Sequence, residues 1–304
     1  MNRDVLVVGE SLVDIVRGAD GSTVEYAGGS AANVAVALAR LGRPVRFATS
    51  FADDARGRIV GEHLKGAGVQ LATDPGAVAR TSTALATIGA DGAAHYDFDL
   101  EWRLHPVELG EPPLVVHTCS LGAVLMPGAD DVFTLLTELR EQATISYDVN
   151  ARPAITGTGP DIVARVERMV AISDLVKASD EDLTALYPDV DHLVAARNLL
   201  ALGPAAVVVT RGADGASWVG ASGEVEIASL PVQVADTIGA GDTFGAALVD
   251  ALWEHDRLGG DRRDALRHLP TDEVADVLAH AARAAAVTVS RPGADPPYRH
   301  ELTD

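Results

Sequence analysis

Cysteine occurs once, at Cys119, so no disulfide can form within the chain. That suits a reducing compartment, and the expected location is the cytoplasm. Long apolar runs are missing too. No stretch approaches the roughly 20 residues that span a bilayer, and the opening run Met1-Asn-Arg-Asp-Val-Leu-Val-Val-Gly-Glu is too short for a secretory leader. Basic residues are scarce, 24 against 44 acidic ones, for a net charge of -20. A field of that sign repels nucleic acid and anionic membrane, so neither is an expected partner. It also repels nucleotide phosphates, so a nucleotide site would need backbone amides, a few placed cations or bound metal. Aromatics are only 4% of the chain, which leaves Ala, Val and Leu to fill the core. The nine histidines form no H-E-x-x-H or Cys/His cluster, which argues against zinc.

Short apolar runs are present in number: Val5–Val8, Val45–Ala48, Leu114–His117, Thr144–Asp148, Leu175–Lys177 and Ala205–Thr210. Helical patterns separate them. Strands without polar alternation are buried on both faces, as in a parallel sheet between helix layers. Ser30 is expected to N-cap a helix through Leu41, which Gly42 ends. Pro160–Ala171, Asp191–Ala201 and Asp272–Val289 also read as helices. Phe244, Ala247, Leu248, Ala251 and Leu252 form a stripe that predicts a helix from near Ala240. Leu12–Tyr26 and Thr83–Asp99 each read as a hairpin around Gly-Ala-Asp-Gly. Together, residues 12–27 and 83–105 would form a small β-sheet lid over one edge of a single 304-residue domain.

The run with the most chemistry is Asp236-Thr-Ile-Gly-Ala-Gly-Asp242. It lies between a β-like run, Val225–Val234, and the helix near Ala240. Gly239 and Gly241 let backbone amides approach a ligand, and the helix start adds unpaired N–H groups with partial positive charge. That is an anion trap without Lys or Arg. Asp242 in the first turn would lie beside the anion, where a carboxylate is best explained as a base taking a proton from an attacking hydroxyl. The plainer alternatives are a carboxylate that only favours the helix dipole, or a G-x-G-x-x-G fingerprint, for which the glycine spacing is off by one. Gly28-Gly-Ser-Ala-Ala-Asn33 could offer amides and one side-chain amide to a polyol, or be an ordinary helix entry. Asp14 could bind a diol or sit on a surface.

Taken together, GGSAANVAVALARLG and DTIGAGDTFGAAL are similar to the two signatures of the ribokinase-like (PfkB) carbohydrate kinases, in the family's order and separation. The resemblance covers essentially the whole chain. It implies a three-layer α/β/α fold with a mostly parallel central sheet, and phosphorylation of a sugar by ATP with Mg²⁺ and K⁺. Residue by residue, it implies that Asp14, Gly28, Gly29 and Asn33 bind sugar, that Asp242 is the base, and that Gly239, Ala240 and Gly241 form the anion hole. Asp148-Val-Asn-Ala-Arg152 resembles D-x-N-x-R, which places Asn150 and Arg152 near sugar and phosphate. Lys177, Ser179, Thr210, Gly212, Gly215 and Ala282 would line the nucleotide. Asp182 would reach Mg²⁺ through water, and Asp236 would lie near the monovalent cation. Lids of the family often pair between subunits, so a homodimer is expected.

The departures are specific. Ser179 stands where Asn is common and Asp182 where Glu is common, so Glu181 could take the acidic role near Mg²⁺. Ala52 replaces a usual glycine. The Ser179–Asp182 run resembles fructokinase-like members, which makes fructose the first substrate expected. Ribose, 2-keto-3-deoxygluconate and nucleosides stay open, with sparse aromatics against a nucleoside. A catalytically silent sugar-binding regulator is the alternative of another class.

Overall fold

The computed structural model describes residues 4–18, 20–88 and 94–302. In chain order the strands are β1 (Val5–Val8), β2 (Leu12–Arg17), β3 (Thr23–Gly28), β4 (Val45–Ala48), β5 (Gln70–Leu71), β6 (Thr83–Ile88), β7 (Ala94–Asp99), β8 (Val115–Cys119), β9 (Thr144–Asp148), β10 (Leu175–Ser179), β11 (Ala206–Thr210), β12 (Ala216–Gly220) and β13 (Gly223–Ile227). The large sheet has the order β13-β12-β11-β10-β9-β8-β1-β4-β5. Neighbours from β11 through β5 run parallel, while β12 and β13 fold back antiparallel.

Apolar helix faces cover both sides of this sheet. The Ser30–Arg40, Ala240–Glu254 and Thr271–Val289 helices enclose one core with Val5, Val7, Phe47 and Val208. The Gly128–Leu139, Pro160–Ile172 and His192–Leu200 helices enclose the other with Leu6, Val8, Ile145 and Val207. The expected three-layer α/β/α architecture is therefore present. The stripe Phe244, Ala247, Leu248, Ala251 and Leu252 is buried throughout, as its spacing predicts.

Both hairpins form, and β2 and β6 join them in parallel into a second sheet of order β3-β2-β6-β7. The Gly18–Gly21 turn closes the first, with Gly21 at φ 82°. The second turn, 89–92, lies outside the described residues. Residues alternate across this sheet. Val13 and Ile15 pack inward on the core. Val16, Val24, Tyr26, Tyr96 and Phe98 face outward and are exposed, with the last two rings stacked. The lid expectation ran to 105, but strand structure ends at Asp99. Trp102 is instead buried, its indole N–H donating to the Gly122 carbonyl at 3.1 Å.

Two local expectations are corrected. The strand expected over Val225–Val234 stops at Ile227, and Val232 and Val234 are exposed. Gly29, at φ 100°, is the N-cap of the Ser30–Arg40 helix, and it makes no side-chain cap. The Ser30 hydroxyl turns elsewhere. Strand β9 is wholly buried, as expected of its run, although its residues alternate polar and apolar. Its polar members find buried partners: Ser146 Oγ lies 3.1 Å from His117 Nδ1, and Asp148 pairs with Lys177.

Candidate active site

The parallel strands all end at one edge of the large sheet. The chain leaves β1 toward β4 on one side and returns through β8 on the other, so the strand order reverses between β1 and β8. Such a reversal opens a crevice beyond the strand ends. Glu10 follows β1 there, Ser120 follows β8, and Asn150 and Arg152 follow β9.

Asp242 reaches this crevice from the first turn of the Ala240–Glu254 helix, whose N-cap is Gly239 in the left-handed region at φ 74°. The carboxylate is 6% exposed. Its Oδ1 accepts from the Ser30 hydroxyl at 2.6 Å and from the Asn150 amide at 3.3 Å. Its Oδ2 accepts from the Asn33 amide at 2.8 Å. The sequence-predicted residues Asn33, Asn150 and Asp242 thus meet at one carboxylate, although 209 residues separate Asn33 from it. Arg152 Nη1 donates to Asn150 Oδ1 at 2.6 Å, which turns the Asn150 NH₂ toward Ser30 and Asp242.

Lys177 and Asp148 lie side by side on β10 and β9, with Nζ 2.8 and 3.0 Å from the two carboxylate oxygens. Both are buried. Burial opposes charge on Lys177, but Asp148, Asp182 and Asp242 together hold its ammonium above the ordinary value. A Cβ placed on Gly241 would lie 3.4 Å from Lys177 Nζ. The ammonium therefore sits beside Gly241, in the first turn of the Ala240–Glu254 helix.

Asp14 lies on the outer face of the second sheet, and burial pushes its carboxyl up to about 6 against the pull of Arg152. Burial likewise pushes Glu10 up to about 7, opposed by its own amide, the Gly122 amide and Arg152. Glu10 Oε2 accepts from the Gly122 N–H at 2.7 Å. Gly28 and Gly29 are glycines for different reasons. A Cβ on Gly28 would lie 2.0 Å from Asp14 Oδ2, whereas Gly29 has φ 100° and would meet the Glu10 carbonyl at 2.9 Å. Gly28→Ala should therefore displace the Asp14 carboxylate while leaving the core intact. The expected result is a KM for the acceptor raised by about tenfold, the loss of roughly one charged hydrogen bond, with an unchanged melting temperature. An unchanged KM would separate Asp14 from acceptor binding.

Further along the edge, Thr210 ends β11 and Gly212 and Gly215 shape the turn to β12 with φ of 51° and 93°. Ala282 is half-buried on the Thr271–Val289 helix. Ser179 and Asp182 have structural duties: they form a reciprocal capping box on the Asp180–Leu186 helix. Asp182 Oδ1 also accepts from the Ala151 N–H at 2.8 Å. Asp236 bridges two loops, accepting from the Ile238 N–H at 3.0 Å and the Gly293 N–H at 2.9 Å. These amides hold its carboxyl below the usual range. Ala294 closes over the same loop, since a Cβ on Gly239 would lie 2.7 Å from the Ala294 Cβ.

Reading the sequence missed Ser30 and Glu10 as residues of this site. Glu10 had a signal, because Gly9-Glu10 directly follows a buried strand. Ser30 had none, since a serine at a helix entry reads as a cap. Glu101 Oε2 accepts from the Ala79 N–H at 3.2 Å, and Trp102 is buried.

Known proteins similar to this chain are numerous. A fructokinase of Rhizobium leguminosarum bv. trifolii is 35% identical over 260 residues, 82% of this chain and 79% of its own. An aminoimidazole riboside kinase of Salmonella typhimurium is 30% identical over 271 residues, 84% of each chain. Among solved structures, a Xylella fastidiosa fructokinase with bound ATP superposes with a TM-score of 0.84 at 24% identity, covering 99% of this chain and 98% of that one. A Vibrio cholerae fructokinase double mutant holding fructose, ADP and potassium gives 0.76 at 24% identity, covering 96% and 94%. The model of the pfkB family carbohydrate kinases matches residues 2–301, and this chain belongs to that family of phosphotransferases.

Proposed function

We propose that this kinase transfers the γ-phosphoryl group of ATP to a primary hydroxyl of fructose. One observation carries the reading: a single buried carboxylate, Asp242, stands at a glycine-built helix start and is held by side chains from the acceptor-side segments 30–33 and 150. Asp242 takes the hydroxyl proton as the oxygen attacks in line. The amides of Gly239, Ala240 and Gly241, with Lys177 beside Gly241, stabilise the charge on the transferring group. Asp14, Gly28, Gly29, Asn33, Asn150 and Arg152 hold the sugar. Thr210, Gly212, Gly215 and Ala282 line the nucleotide. The second sheet closes over the crevice and excludes water.

Among the described residues no three His, Cys, Asp or Glu side chains converge as a metal site. Mg²⁺ would therefore be held chiefly by the ATP phosphates and keep most of its waters. Asp182 would touch it through water, using lone pairs left over from the capping box. K⁺ suits Asp236, an ionised carboxylate tying the 236–238 loop to the 293 loop, and would stiffen the anion hole. The outward row Val16, Val24 and Tyr96 is the surface through which a homodimer would form. We place the enzyme in the cytoplasm.

A second substrate reading also has an observation behind it. Tyr26 and Phe98 flank Asp14 in register on the outer face of the second sheet, Tyr26 directly and Phe98 across Ala84. Aromatic rings beside a diol-binding carboxylate offer a stacking face for a nucleobase. The scarcity of aromatics in the chain therefore does not count against a nucleoside, because two of them stand beside Asp14. ADP release should be measured with fructose, ribose, tagatose, 2-keto-3-deoxygluconate, adenosine and aminoimidazole riboside, with and without K⁺. Fructose with K⁺ should give the highest kcat/KM. A nucleoside in first place would overturn the fructose assignment, and sugar binding without turnover on any acceptor would favour a silent regulator.

A further inference from the structure

The Ser30 side chain is the closest partner of Asp242, and its helix does not require it there. Helix capping does not use the hydroxyl, since Gly29 occupies the cap position. Instead Ser30 Oγ donates to Asp242 Oδ1 at 2.6 Å and accepts from Asn150 Nδ2 at 2.7 Å. Arg152 in turn fixes the Asn150 amide. The result is a directed chain, Arg152 to Asn150 to Ser30 to Asp242, in which every donor has an acceptor. Asn150 enters it from a left-handed backbone, φ 36°, rare for a side chain with a Cβ.

We infer that Ser30 is a positioning residue for the phosphoryl transfer. Its hydroxyl occupies Asp242 Oδ1 and leaves Oδ2 as the oxygen that takes the proton. This rests on Asp242 being the base. Oδ2 has one donor, the Asn33 amide. That amide can pass to the bound acceptor, freeing Oδ2 to receive the attacking hydroxyl. Oδ1 has two donors behind it and is not freed in the same way. Ser30 thereby sets the carboxylate rotamer.

The split between kcat and KM tests this. Ser30→Ala should lower kcat about tenfold, the loss of about one hydrogen bond to a charged group. The KM for the sugar and the melting temperature should be little changed. Ser30→Thr, which keeps the hydroxyl, should restore the parent kcat. A kcat unmoved in Ser30→Ala, or one that falls only together with the melting temperature, overturns the inference. The underlying reading fails separately, if Asp242→Asn stays active.

Discussion

Asp242→Asn should give a folded protein whose sugar-dependent ADP release is lower by about 10²- to 10⁴-fold, the range for losing a general base. The exchange keeps shape and volume at a site that is 6% exposed. It removes the negative charge and one acceptor. All three partners of the carboxylate, Ser30, Asn33 and Asn150, are donors. The new NH₂ must therefore face one of them, a mismatch costing about 1–3 kcal/mol. That is too little to unfold a domain with two extensive cores. ATP should bind as well or better, because a carboxylate no longer stands beside the γ-phosphate. Steady-state turnover with calorimetry of ATP binding checks both halves. Parent-like turnover would remove Asp242 from the chemistry.

The second large effect concerns stability. Asp148→Ala should destabilise the fold by about 3–5 kcal/mol, the cost of stranding a buried charge. The Lys177 ammonium, 2.8 Å from Asp148 and buried, would lose its nearest counter-charge. His117 and Ser146 nearby do not replace it, since Ser146 already engages the imidazole. Asp148→Ala/Lys177→Met should recover most of the loss, because an apolar pair of similar volume avoids the desolvation of both ions. Denaturant melts of the two variants decide the matter. A single variant within about 1 kcal/mol of the parent would mean that water or another acid reaches Lys177. The double variant should stay slow as a kinase, since the cation beside Gly241 is gone in it.

Periodicity and glycine placement made the architecture legible. The stripe from Phe244 to Leu252 and the two hairpins are local patterns, and local patterns survive in sequence. The Asp236–Asp242 run was equally plain, because glycines, helix start and carboxylate are contiguous. What could not be read was the assignment of side chains whose partners lie far along the chain. Ser30 spends its hydroxyl 212 residues away. Asp182 accepts from the Ala151 N–H, 31 residues away, besides capping its own helix. The Val225–Val234 run carries apolar residues at strand spacing but ends at Ile227. Beyond that point nothing pairs with it in the sheet, so propensity alone does not hold a strand. In β9 the alternation Thr-Ile-Ser-Tyr-Asp marked a buried polar seam, a pattern that elsewhere marks a solvent face.

The three contacts that hold Asp242 span 92, 209 and 212 residues. Closing loops of that length is slow and entropically costly, and no short segment can rehearse it. A chain still assembling its sheet carries Asp242 as an ordinary hydrated carboxylate, with no ordered amides before it and no hydroxyl behind it. Such a chain has nothing with which to cleave ATP. With Asp242 as the proposed base, this wiring acts as a safeguard: phosphoryl transfer becomes possible only when the segments around residues 30 and 150 have met the helix that carries Asp242.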